Sequence, residues 1–263
     1  MGYSRWILVA GLGLFALPAR ADLAEVKASG TLRVLAVKVS PDDEFFAVPV
    51  ESQPGFDREV IEGFATLHRL RMEPVVVGSW DALIPSLQQG KGDVIVGRFT
   101  ATDARSKVIA FTAQTFPTRN VVLTRKPHRA VASLAELREE KVGTIRGTSM
   151  AEAVAAAGVP KANVVDTVPP GGLPGALRSG QATAVVLGLE SAIVAQRDDP
   201  EIQIGLFLGQ PGSLAYGVRK EDTALLEALN AYIENLRRTP SWNRLVLKYF
   251  GDRSLDILKK ARE

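Results

Sequence analysis

The chain has 263 residues, enough for one large domain or two modest ones, and its 46% hydrophobic and 23% charged content is ordinary globular composition. Its 32 basic and 29 acidic residues leave a surplus too thin for a nucleic-acid footprint. It has no cysteine, which excludes disulfides, thiolate metal sites and cysteine nucleophiles; His68 and His128 match no metal-ligand spacing, so neither metal nor other cofactor is expected.

Taken in chain order, Arg5 is followed by the apolar run Trp6–Leu17 and by Pro18-Ala19-Arg20-Ala21, which closes on an A-x-A pattern. This reads as an export peptide cleaved after Ala21, since the run is shorter than the roughly 20 residues needed to cross a bilayer. Its removal takes away Arg5 and Arg20 and no acid, so the remaining chain is close to neutral.

Thr31–Val39 is β-branched and apolar, as a strand requires. After Pro54-Gly55, Val60, Phe64 and Leu67 recur at helical spacing. Glu73–Val77 predicts a second strand, and Ser79 a cap for a helix burying Leu83, Ile84 and Leu87, kinked or shortened by Pro85. Asp93–Val96 predicts a third strand.

The pattern restarts after Pro127. Strands are expected at Lys141–Ile145, Val164–Val168, Thr183–Leu187 and Ile202–Leu208, with helices at Ser149–Ala157 and Leu173–Ser179. Asp222 then reads as the cap of a long helix with a Leu225, Leu226, Leu229, Ile233, Leu236 stripe, and Pro240-Ser241 opens a last one. Such βαβα order predicts an α/β fold with largely parallel sheets in two units, about 23–124 and 125–212. Asn120–Thr124 and Leu214–Val218 read as crossover strands between them.

Four stretches carry a resemblance. They are Gly30-Thr-Leu-Arg-Val with Gly55-Phe56-Asp57; Ser79 to Val96; Thr100-Ala-Thr-Asp-Ala-Arg105-Ser-Lys; and Tyr216-Gly-Val-Arg-Lys220 with Leu247-Lys-Tyr-Phe-Gly251. In this order they resemble the polar amino acid-type periplasmic solute-binding proteins of ATP-driven importers, family 3. The resemblance implies a two-lobed periplasmic-binding-protein fold of type II, each lobe a mostly parallel sheet flanked by helices, with a two-strand hinge. Lobe 1 would comprise 22–122 and 217–263, and lobe 2 residues 123–216.

Arg105 falls on the family's arginine that grips a ligand carboxylate, a role suited to a permanently charged fork of donors. The alternative is a surface pair with Asp103. Thr148 and Ser149 match second-lobe residues completing that site, where a helix start attracts anions, although either could simply cap the helix. Trp80 occupies the aromatic position beside the pocket, a stacking wall or a core residue. Phe46, with Phe45, is a candidate for the opposite wall, and Thr100 for a polar contact in lobe 1.

Two positions depart from the family pattern. Gly188 stands where an aspartate holds the ammonium of an α-amino acid. Either Glu190 takes that role or the ligand is a different carboxylate. Arg98 stands where a small residue is usual. Pointing inward it would suit a dianion, and pointing outward it would be a solvated rim charge.

The expected function is capture of a small anionic solute, an amino acid or related organic acid, in the periplasm and its delivery to an inner-membrane ABC permease. No catalysis is expected, nor contact with nucleic acid, and the protein should be a monomer. Alternatives are an accessory or sensor-partner protein of a periplasmic dehydrogenase, or a cyclohexadienyl/arogenate-type dehydratase. In those enzymes the proton-transfer residue is a glutamate shortly after the Gly-Thr turn, where this chain has Met150, with Glu152 turned about 200° away on a helix.

Overall fold

The computed structural model describes residues 22–40, 43–49, 53–251 and 259, so the export segment expected at 1–21 lies outside the described residues. The first unit contains α1 (Leu23–Ser29), β1 (Thr31–Val37), α2 (Phe56–Leu67), β2 (Arg71–Val77), α3 (Leu83–Gln88), β3 (Val94–Ile95), α4 (Asp103–Ser106) and β4 (Ala110–Phe111). The chain continues through β5 (Phe116–Arg125), α5 (Leu134–Glu139), β6 (Val142–Gly143), α6 (Ser149–Ala156), β7 (Val164–Val165), α7 (Leu173–Ser179), β8 (Ala184–Gly188), α8 (Leu189–Asp198) and β9 (Ile202–Leu214). It returns through β10 (Gly217–Val218) to α9 (Thr223–Arg237) and α10 (Pro240–Phe250).

Two five-stranded sheets result, in the orders β2-β1-β3-β10-β4 and β7-β6-β8-β5-β9. In the first, β1 is parallel to β2 and β3, while β10 is antiparallel to β3 and β4. In the second, β6 is parallel to β7 and β8, while β5 is antiparallel to β8 and β9. One plan is therefore used twice, three parallel strands followed by antiparallel partners. The fold is α/β and two-lobed.

The second crossing between sheets falls within the expected Leu214–Val218, and the first lies earlier than expected. Asn120–Thr124 is the middle of β5, with Asn120 opposite Gly188 on one side and Leu208 on the other. The chain passes between sheets at 112–115 and 215–216, so a boundary at 122/123 would fall inside a strand. The reason is Pro117. It interrupts the β-branched pattern but sits near the strand start, where a missing donor is tolerated, and it pairs with Ser213. Likewise β9 runs past Pro211 to Leu214, with a register shift opposite Thr118 to Asn120 absorbing the irregularity.

Asp222 precedes α9 but makes no side-chain cap bond. Its carboxylate instead pairs with Arg219 at 2.8 Å. Arg219, 5% exposed, also donates to the carbonyls of Leu87 and Gly92 at 2.7 and 2.9 Å, tying α9 to the α3–β3 turn. Nearby, the Tyr216 hydroxyl donates to Asp57 Oδ1 at 3.0 Å, so residues from two separate sequence motifs meet in one lobe.

Asp57 is buried, and that burial pushes its pKa up to about 6, against the Arg98 N–H and Tyr216 O–H that favour the charged form. A carboxyl group raised in this way contributes stability below pH 4 that is lost as pH rises through 6. Urea denaturation should therefore show the stability deficit of Asp57→Asn shrinking by on the order of 2 kcal/mol between pH 4 and pH 8. A deficit independent of pH would show that Asp57 ionises normally.

Candidate functional site

Loops leaving the carboxyl ends of β1, β3, β6 and β8 face one another, the place where open α/β sheets bind ligands. They enclose a cavity of about 380 Å³ between the lobes. Of the residues singled out from the sequence, Arg105, Thr100, Arg98, Thr148, Ser149, Trp80 and Glu190 line it, and Phe46 does not.

Arg105 sits on the single turn of α4, which Thr102 caps by accepting the Arg105 N–H at 3.3 Å. Its side chain is 7% exposed and lies over the Phe99 ring, 4.2 Å from the centroid. One guanidinium nitrogen donates to the Thr100 carbonyl at 2.7 Å, and the other crosses the cleft to the Gly147 carbonyl at 2.9 Å. Among the described residues no carboxylate pairs with it, so the surface bridge to Asp103 is not formed. Burial lowers its pKa from the ordinary value, yet a guanidinium keeps its proton. The result is a buried cation on the cavity whose side-chain hydrogen bonds go to carbonyls and whose opposing charge is the exposed Glu152, an arrangement that favours an anion.

Around it, Thr100 Oγ1 and Ser149 Oγ lie 3.0 Å apart across the cleft. Thr148 is fully engaged as the cap of α6, donating to the Ile145 carbonyl at 2.6 Å and accepting from the Ala151 N–H at 3.3 Å. Of this pair, then, Ser149 has the hydroxyl that faces across the cleft, while Thr148 shapes the helix start.

Glu190 is 3% exposed and accepts a hydrogen bond from Thr118 Oγ1 at 2.6 Å. Burial raises its pKa, with Thr118 and the Arg98 charge pulling the other way. Its Oε1 lies 2.1 Å from where a β-carbon on Gly188 would stand. The Glu190 carboxylate thus occupies the space that a side chain at position 188 would take. The Thr118 and Thr100 methyls lie 3.7 and 3.9 Å from one point beside Gly212, so the groups around Glu190 and those around Arg105 adjoin.

Arg98 points inward but is not available to a second anion. Its guanidinium pairs with Asp43, itself 3% exposed, and reaches Ser191 Oγ on α8 at 3.1 Å. Its backbone adopts φ 54° and its N–H donates to Asp57 Oδ2 at 3.0 Å. The choice between dianion ligand and solvated rim charge thus resolves into neither.

Phe46 requires correction. Asp43 Oδ1 accepts the backbone N–H groups of Phe45 and Phe46 at 2.7 and 2.9 Å, and that tight turn sends both rings into the lobe. Phe46 is 2% exposed beneath Arg58, and Phe45 packs against Phe56, Phe116 and Phe250. Trp80 is a core residue, 8% exposed, that also lines the cavity. Asp43, Thr118 and Ser191 escaped the sequence reading. Asp43 follows a strand's carboxyl end and Ser191 opens a helix after one, a signal that could have found them; Thr118 was hidden with the start of β5.

The lobes meet at two glycines. A β-carbon on Gly147 would lie 2.5 Å from the Asp81 nitrogen, and one on Gly171 would lie 2.9 Å from the Val39 carbonyl. Gly180, in the same lobe, has similar φ, 71° against 78° for Gly171, but nothing within 4 Å. Gly171→Ala and Gly180→Ala therefore share the backbone strain, and only the first props the lobes apart. Stopped-flow dissociation should show Gly171→Ala releasing ligand about tenfold faster, with Gly180→Ala unchanged. Equal rates in the two would mean that closure does not pass through this contact.

Comparison with known proteins adds the following. The family described as bacterial extracellular solute-binding proteins, family 3, matches residues 35–252. A probable histidine-binding protein of Campylobacter jejuni is 27% identical over 250 residues, covering 92% of this chain and 96% of the relative. A crystal structure of a variant of ArgBP from T. maritima superposes with a TM-score of 0.79 at 28% identity, covering 87% of this chain and 99% of that one. A membrane-bound lytic murein transglycosylase F of Desulfosudis oleivorans is 26% identical over 76% of this chain, which spans only 45% of that enzyme.

Proposed function

The chain belongs to the bacterial extracellular solute-binding proteins of family 3, and from that premise we propose that it captures a zwitterionic α-amino acid by closure of the two lobes and hands it to an ABC permease at the inner membrane. The observation that carries this reading is a charge balance. Among the described residues seven charged side chains line the cavity; Arg178 and Asp198 are exposed and Glu44 is half-buried, which leaves Arg98, Arg105, Asp43 and Glu190 as the least exposed to solvent. Arg98 and Asp43 neutralise each other, leaving one buried cation and one buried carboxylate. Arg105, with Thr100, Ser149 and the first N–H groups of α6, would take the ligand carboxylate, and Glu190 with Thr118 the ammonium. Buried charges are stable only when matched, and a zwitterion matches both. Relatives named for histidine and arginine binding agree with an amino acid as the ligand class.

Binding rather than turnover is favoured by the same pairing, because Asp43 is held by Arg98, Glu190 is assigned to the ammonium, and Glu152 lies exposed on α6, outside the cavity. Export to the periplasm through residues 1–21 and a monomeric working state complete the proposal.

A thermal-shift panel of amino acids, their deaminated counterparts and dicarboxylates tests it. Amino acids at about 100 times the dissociation constant should stabilise the protein by roughly 2.7 kcal/mol. Stabilisation by dicarboxylates alone would contradict the reading, since it would require Arg98 to be free of Asp43.

A further inference from the structure

Beyond the residues assigned to the ligand's carboxylate and ammonium, one side of the cavity is lined by α8. Ser191, Val194, Ala195 and Asp198 follow one another at helical spacing on the cavity face. At 1.5 Å per residue, Ser191 to Asp198 spans about 10 Å, from beside Glu190 to the exposed Asp198. Val39, Pro174, Leu187 and Trp80 line the same cavity, so with Val194 and Ala195 a large part of its wall is apolar.

Three further charged residues line the cavity, Asp198 and Arg178 exposed and Glu44 half-buried. Both of these carboxylates have a partner in Arg197, at 2.8 Å from Asp198 and 3.9 Å from Glu44. Arg178 adds a further positive charge on an exposed helix position. Of the less exposed carboxylates, Asp43 is paired with Arg98, and Glu190 is assigned to the ligand's ammonium. Burial raises the Glu44 pKa, with the Arg98 and Arg197 charges pulling the other way.

We infer that the site selects amino acids with a bulky uncharged side chain, aromatic or long aliphatic, over those whose side chain carries a cation. This rests on the amino-acid reading above. A cationic side chain would meet an apolar wall and carboxylates already matched by guanidinium groups, and burial of a charge without a partner is unfavourable. A phenyl or branched aliphatic group would displace water from Val39, Pro174, Leu187, Val194 and Ala195, gaining about 25 cal/mol for each Å² covered.

Isothermal titration of the purified protein with phenylalanine, leucine, methionine, arginine, lysine and glutamate tests the inference. At least one of the uncharged three should bind ten times or more tighter than arginine and lysine, a difference of about 1.4 kcal/mol. Ala195→Asp, which places an unmatched carboxylate on the stripe, should reverse the order in favour of arginine or lysine. Tightest binding of arginine or lysine by the native protein would overturn the inference while leaving the amino-acid reading intact. Binding of none of the amino acids, with a response to a deaminated acid, would overturn that reading and the inference together.

Discussion

Arg105→Ala should abolish measurable capture of ligand. The substitution removes a buried cation on the cavity that pairs with no carboxylate among the described residues, so a bound carboxylate would be left desolvated and unmatched. Truncating one side of such a pair costs roughly 3–5 kcal/mol, or between about a hundredfold and several thousandfold in affinity. Arg105→Lys should recover part of this and no more. A lysine keeps the charge, but a single ammonium cannot hold the Thr100 and Gly147 carbonyls and a carboxylate with the same planar fork. The Gly147 bond also spans the cleft, so both variants should close less completely. Circular dichroism and thermal unfolding without ligand separate this from misfolding, because a folded Arg105→Ala protein with native affinity would mean the carboxylate binds elsewhere.

The second large effect belongs to Glu190. Glu190→Gln keeps the shape and can keep an acceptor for Thr118, but it deletes the carboxylate charge. Affinity for amino acids should fall about a hundredfold, a difference of about 2.7 kcal/mol, while affinity for the matching deaminated acids stays level or improves. Gly188 makes the prediction more specific. Any side chain at 188 must enter the volume the Glu190 carboxylate now fills, since its β-carbon would sit 2.1 Å from Oε1 and 2.7 Å from Cδ. Gly188→Asp alone should therefore disturb the site, and Gly188→Asp with Glu190→Ala should restore amino-acid binding by placing one carboxylate back in that volume. Failure of the double variant, with the fold intact, would show that Glu190 does more than supply a charge.

The ease of reading this chain varied along its length for physical reasons. The position of Arg105 on the cavity was legible because its motif fixes it to a short turn after β3, where its guanidinium is held by the Thr100 and Gly147 carbonyls. The helices at Leu173–Ser179 and Pro240–Phe250 were legible from Pro and Gly punctuation, which acts locally. The first inter-lobe crossing was not, because Pro117 breaks the local strand pattern, whereas pairing between β5 and β9 is a non-local property that outweighs it. The fates of Phe46 and Arg98 share one hidden cause. Asp43 turns the loop that buries both phenylalanine rings and also neutralises Arg98, and neither contact has a sequence spacing that announces it. Asp222 stood where a cap belongs, yet its carboxylate is drawn to Arg219 three residues earlier.

The measurement that bears most directly on the zwitterion receptor is a three-way isothermal titration with the tightest-binding amino acid, its deaminated acid and its methyl ester. Each truncated ligand leaves one of the two buried charges unmatched. Both should bind at least about a hundredfold more weakly than the parent, the acid through loss of Glu190 and the ester through loss of Arg105. A deaminated acid that binds as tightly as its parent would contradict the account, because Glu190 would then have no ligand charge to meet.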